Sequence, residues 1–128
     1  RFHVVEVEEE RGPDHPSRAQ IDAILAKEGE RILKAIPARA YPIGLCVEGR
    51  AISSEQLSSL LGELALDGDS HVAFLIGGSF GLSQQVKATC RDRVSMSAMT
   101  FPHQLARVML CEQIYRAYQI ASGGKYHK

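Results

Sequence analysis

The run Gly77-Gly78-Ser79-Phe80-Gly81 follows at once on the apolar stretch Val72 to Ile76. Glycines behind a buried strand let backbone amides and carbonyls approach a ligand closely. The same residues serve equally well as a tight strand-to-helix turn, and their spacing departs from the dinucleotide fingerprint GxGxxG. Two further loops stand behind predicted strands, Glu48-Gly49-Arg50 and Ser95 to Pro102. The second is small and polar, suited to wrapping an adenine or a sulfonium centre with backbone hydrogen bonds. Metal chemistry finds no support: Cys46, Cys90 and Cys111 form no CxxC pair, and the five histidines show no ligand-type spacing. An odd number of widely spaced cysteines suits reduced thiols in a cytoplasmic protein.

Strands and helices must carry these loops. Phe2 to Val7 alternates apolar and polar residues and predicts a strand. From Ser17, a suitable N-cap, Ile21, Ile24, Leu25, Ile32, Leu33 and Ile36 recur at helical spacing until Pro37, with Gly29 weakening the middle. Tyr41 to Val47 predicts a second strand, and Ser53 or Ser54 opens a helix carrying Leu57, Leu60, Leu61 and Leu64 that ends at Gly68. Val72 to Ile76 is continuous and apolar, as in a parallel sheet. A short helix over Ser83 to Arg91, a strand over Arg93 to Met99 and a long helix over His103 to Ile120 complete the pattern. That last helix is apolar on more than one face, which implies burial by its own sheet and by a second subunit. Strand and helix alternate four times, predicting an α/β fold with a parallel sheet and a ligand at the C-terminal strand ends.

With 128 residues, 45% hydrophobic and 23% charged, the chain is expected to form a single domain over 1–128 around one core. Its longest apolar run is far short of the roughly 20 residues that span a membrane. Formal net charge is zero, which argues against a simple cationic nucleic-acid binder. The zero conceals −5 up to Val86 and +5 after it, so the C-terminal half offers a landing surface for a polyanion or merely solvated helix faces.

Four separated stretches, Leu75 to Leu82, Ser97 to His103, Glu112 to Tyr118 and Lys125-Tyr-His-Lys128, together resemble the RlmH group of SPOUT methyltransferases. The resemblance extends to Phe2 to Glu6 and Ala26 to Glu30, and so covers essentially the whole chain. It implies an enzyme that methylates N3 of a pseudouridine in 23S ribosomal RNA of the assembled ribosome, with S-adenosylmethionine as cofactor. It also implies a parallel-type sheet flanked by helices, a C-terminal trefoil knot that ordinary topology would not suggest, and a homodimer. Members of that group carry a strand and helix ahead of the position of Phe2, which are expected to be absent here. Ser79 stands where they more usually have Ala or Pro.

Carried over by position, the cofactor contacts are Leu45, Gly78, Ser97, Ala98, Met99, Thr100, Phe101 and Pro102. The N3 proton calls for a base, and the C-terminal pair Tyr126 and His127 supplies the candidates, His127 being the better one because imidazole titrates near neutrality. A frayed tail is the competing reading of both. Arg107, Arg116 and Lys125 are the candidates for RNA phosphates, although Arg116 also stands four residues after Glu112, the spacing of an intrahelical ion pair. His103 suits either a cap on the last helix or a contact to the cofactor loop. Tyr115 and Tyr118 suit base stacking, the core or a dimer interface. The competing classes are an open-sheet, Rossmann-like nucleotide-binding oxidoreductase and a non-catalytic RNA-binding dimer. No metal and no membrane partner are expected.

Overall fold

The computed structural model describes residues 5–69 and 71–127. Its elements run α1 (Arg18–Ala35), β1 (Tyr41–Ala51), α2 (Ser54–Leu66), β2 (Val72–Ile76), α3 (Gln84–Thr89), β3 (Asp92–Ser95) and α4 (His103–Ala121). Serines start three of the helices. The Ser17 hydroxyl accepts the N–H of Gln20 and the Gln20 side chain accepts the N–H of Ser17, and Ser53 and Gln56 repeat this reciprocal pair. Ser83 accepts the N–H of Val86 at 3.1 Å. Each cap satisfies an amide that the helix itself leaves without a partner, worth about 1 kcal/mol. Pro37 ends α1 as the sequence predicts, since the residue before a proline is pushed out of helical geometry and Ile36 is extended.

Among the described residues the sheet has three parallel strands in the order β2-β1-β3. Val72 and Phe74 face one side of β2 and Ala73 and Leu75 the other, so the sheet carries two cores. Ile32, Leu75, Leu82 and Val86 join α1 and α3 to one face. Ile43, Leu64 and Val94 join α2 to the other. Gly29 lets α1 meet α3 closely, because a Cβ there would lie 2.7 Å from the Ser83 hydroxyl. This close approach accounts for a glycine in mid-helix.

Three expectations need correction. The predicted strand over Phe2 to Val7 is not found: Val5 to Val7 form no strand, and residues 1–4 lie outside the described residues. The segment that follows is docked by side chains, with Arg31 donating to the Glu8 carbonyl at 2.9 Å and to Glu10 at 2.8 Å. Alternation alone cannot tell such a segment from a strand. The predicted strand over Arg93 to Met99 is shorter than expected, ending at Ser95, and β1 is longer, because it continues past Val47. Its pairing with β3 stops at Leu45 opposite Val94 and resumes at Arg50, again opposite Val94, so 46–49 loop out of register. A Cβ on Gly49 would lie 2.8 Å from the Val94 carbonyl carbon, which explains the glycine at this register shift.

The last correction concerns α4, which rests chiefly on α2 and only lightly on the sheet. Ala106, Leu110, Ile114 and Ala117 are its buried stripe, and Ser58 of α2 donates to the Ala117 carbonyl at 2.8 Å. The other side leaves Leu105, Val108, Tyr115 and Tyr118 exposed, Val108 at 62% and Tyr118 at 63%. Among the described residues no helix is long and apolar enough to cross a membrane.

Candidate functional site

The C-terminal strand ends, the start of α2 and the middle of α4 enclose a cleft of about 560 Å³. That volume lies within the range of small-molecule and cofactor sites. Leu45, Phe74, Val94 and Met96 form its apolar floor, and Ser53, Ser54, Glu112 and Gln113 supply polar groups. Ser54 donates to the Gln113 side chain at 2.5 Å, tying α2 to α4 across the cleft.

Glu112 connects the cleft to the chain terminus. Arg116, one turn further along α4, donates from Nε and Nη2 to the Glu112 carboxylate, the shortest bond being 2.8 Å. Tyr126 donates its hydroxyl to the same carboxylate at 2.8 Å, and its ring lies under the Arg116 guanidinium at 4.8 Å and edge-on to Tyr115. The third arm of Arg116 reaches Nδ1 of His127 at 2.9 Å, while Nε2 of His127 lies 2.6 Å from Glu55 at the start of α2. Arginine can only donate and a carboxylate can only accept, so His127 here is the neutral tautomer with its proton on Nε2 and a lone pair on Nδ1. The Arg116 hydrogen bond and the Tyr126 hydroxyl hold the Glu112 carboxyl below the usual carboxylate range. The hydrogen bond to Glu112 in turn raises the Tyr126 phenol. Tyr126 therefore stays a donor, and His127 carries the basic lone pair. The terminus is anchored at this point, because Tyr126 and His127 together engage α2 and α4.

The remaining sequence-predicted residues are spread around this centre. Leu45 lines the cleft, whereas Gly78 and 97–102 lie outside its lining. Gly78 pairs with Gly81 in a tight turn in which the N–H of Gly81 donates to the Gly78 carbonyl at 3.1 Å. A Cβ at Gly77 would collide with the Gly81 carbonyl at 2.2 Å, so the turn itself requires that glycine. In the third loop Ser95 donates to the Ser97 carbonyl and the Ser97 hydroxyl accepts the N–H of Met99. Ala98, Met99, Thr100 and Pro102 are exposed and Phe101 is half-buried. Pro102 is the N-cap position of α4 and makes no side-chain cap bond, so His103 is the first helical residue and not the cap. Its Nε2 lies 3.8 Å from Glu9 instead. Arg116 is engaged within the chain, Arg107 lies 3.6 Å from Glu6, and Lys125 is exposed. Burial raises the thiols of Cys46 and Cys90 away from reactive thiolate character.

Sequence reasoning missed Glu55 and Phe74 as site residues, and it read Glu112 only as an ion-pair partner of Arg116 and Met96 only as part of the loop after Ser95. Glu55 carried no signal, since an acidic residue in the first turn of a helix already has a sufficient explanation in the helix dipole.

The family described as predicted SPOUT methyltransferase matches residues 1–127. The chain is similar to proteins named ribosomal RNA large subunit methyltransferase H. It is 49% identical to that of Bifidobacterium adolescentis, 47% to one from Clostridium botulinum and 44% to one from Clostridium kluyveri. In each case 128 residues align, which is all of this chain and 80% of the relative. Neither the oxidoreductase nor the non-catalytic reading finds support among them. A strand-end cleft on a parallel sheet, a family match over nearly every residue and this set of relatives agree: the chain belongs to the SPOUT methyltransferases.

Proposed function

We propose that this protein transfers a methyl group to N3 of a pseudouridine in 23S ribosomal RNA, acting as a cytoplasmic homodimer on the assembled ribosome. Its broader activity is methylation of ribosomal RNA with S-adenosylmethionine as methyl donor. The observation that carries the finer reading is the docking of Tyr126 and His127 through Arg116 and Glu112 onto the wall of the cleft.

The cofactor fits the residues present. The cleft is large enough and apolar enough for an adenosyl group. Leu45, Gly78 and the stretch 97–102 are its proposed contacts. When bound, S-adenosylmethionine supplies an electrophilic methyl on a sulfonium sulfur, which becomes a neutral thioether on transfer. The chain must then orient N3 and accept its proton. His127 takes that proton at Nδ1 when the substrate replaces the Arg116 hydrogen bond, and Glu55 on Nε2 steadies the imidazolium that forms. Tyr126, a donor to Glu112, positions this group. Arg107 and Lys125 are left to meet phosphates, joined by Arg116 once it releases His127.

The knotted path and the dimer belong to the same proposal. The match of the SPOUT methyltransferase family over residues 1–127 supports a threaded chain. The exposed stripe of Leu105, Val108, Tyr115 and Tyr118 supports burial of α4 against a second copy.

A methyl-acceptor assay tests the reading. Ribosomes from a strain lacking this modification are expected to accept methyl groups, whereas isolated subunits and free 23S RNA accept few. Replacing His127 by Ala is expected to lower the transfer rate about 10²-fold or more, with cofactor affinity nearly unchanged. Labelling elsewhere than pseudouridine N3 would overturn the substrate, and an unchanged rate would remove His127 from the mechanism.

A further inference from the structure

Gln113 lines the cleft but has no task in the reaction just described. It follows Glu112 directly on α4, and successive side chains on a helix point about 100° apart, so the two do not face each other by default. Here they meet. The Gln113 amide nitrogen donates to Oε1 of Glu112 at 3.0 Å, and the amide oxygen accepts the Ser54 hydroxyl at 2.5 Å. Chemistry fixes the direction of this chain of bonds: an ionised carboxylate only accepts, so Nε2 must turn to Glu112, which leaves Oε1 for Ser54 and makes the serine the donor.

The bond from Gln113 divides the Glu112 carboxylate between two tasks. Oε1 is held by Gln113, while Oε2 takes the Tyr126 hydroxyl and Nη2 of Arg116, each at 2.8 Å. Nη1 of Arg116 is left for His127. On the other side of the imidazole stands Glu55, the residue after Ser54 in the first turn of α2. The hydrogen bonds therefore close a ring that runs Ser54, Gln113, Glu112, Arg116, His127, Glu55 and returns to Ser54 along the helix backbone. Without Gln113 the carboxylate is free to rotate, and the side chains that dock the terminus lose their common anchor.

We propose that Gln113, itself fixed by Ser54, is a positioning residue for methyl transfer: it sets the Glu112 carboxylate and, through Arg116 and Tyr126, holds His127 where the substrate proton is taken up. The inference rests on the reading of His127 as the base. It gives the glutamine a reason to stand between a hydroxyl and a carboxylate, since one end of its amide accepts and the other donates. A glutamate would meet Glu112 with like charge, and a leucine would bond to neither partner.

Methyl transfer to ribosomes from a strain lacking this modification, measured for the wild type, Gln113→Leu, His127→Ala and the double variant, tests this. Gln113→Leu is expected to lower kcat about tenfold, with the KM for ribosomes and the affinity for S-adenosylhomocysteine changed less than about threefold. On the His127→Ala background the same substitution should cost less than about twofold, because a residue that acts through His127 then has nothing left to position. No loss, an equal loss on both backgrounds, or a loss of ligand affinity in place of kcat would overturn the inference and leave His127 as the base. A His127→Ala variant as active as the wild type would overturn the base, and the inference with it. If Gln113→Leu does not fold, Ser54→Ala takes its place in the same cycle and decides on the same non-additivity.

Discussion

Glu28 stands four residues after Ile24 and four before Ile32, a carboxylate in the middle of an apolar stripe. Burial pushes its carboxyl above the ordinary carboxylate range, the Glu10 amide opposes this, and the neighbouring charge of Glu9 adds to it. The folded protein therefore holds this proton more tightly than the unfolded chain does. The stability that follows is fully present below the ordinary carboxylate range and is lost as pH rises through the folded value. Without cofactor, Glu28→Gln is expected to melt above the wild type at about pH 8, with the difference shrinking to nothing near about pH 4. Scanning calorimetry across that range checks it, and a constant difference would assign the effect to packing. Glu55 and Glu112 behave oppositely, held low by His127 and by Arg116, so their contribution is lost as pH falls.

Two glycines show how an element's surroundings set the value of a single carbon atom. Gly49 lies against β3 with Val94 backbone atoms inside 3 Å of any added Cβ, whereas Gly62 on the outer face of α2 has nothing within 4 Å. Gly49→Ala is expected to cost about 3 kcal/mol, because the backbone of a paired strand cannot step aside as a side chain can. Gly62→Ala is expected to stabilise by about 0.5–1 kcal/mol, through helix propensity and a less flexible unfolded chain. Urea denaturation of both variants measures the contrast. A neutral Gly49→Ala would show that the loop over 46–49 can pass β3 more freely than its register implies. Gly29 lies between these cases, since part of what a Cβ would meet there is the Ser83 hydroxyl, which can rotate.

At the scale of the molecule, the acidic first half and basic second half are drawn together by ion pairs across the fold, as in Lys87 with Glu48 and Arg107 with Glu6. Exposed pairs of this kind contribute little stability each, up to about 1 kcal/mol. What the fold leaves unpaired is apolar: the outer stripe of α4, with Tyr115 at 53% exposure and Val108 at 62%. Such a stripe beside the docked terminus is expected to meet its own copy across a two-fold axis. Light scattering should find the wild type dimeric and Val108→Glu monomeric. A dimer that survives Val108→Glu would move the interface elsewhere.

The helices, their serine caps, the apolar β2 and the glycine turn were legible in the sequence, because each is set by residues within a few positions of one another. The family resemblance was legible too, and the comparisons bear it out. Over the described part of the first predicted strand, Val5 to Val7, the alternation was misread, since it is the same whether an extended segment pairs with a sheet or only packs Val7 against the core and is followed by residues that Arg31 holds at Glu8 and Glu10. Only the tertiary structure could bring Glu55, Glu112, Arg116, Tyr126 and His127 into one network, or turn Glu28 toward Gly78. Their separations along the chain run to 72 residues, and no local preference encodes a contact of that range. Sequence set which groups were available and on which elements, and packing of α2 against α4 and of α1 against the glycine turn decided which of them meet.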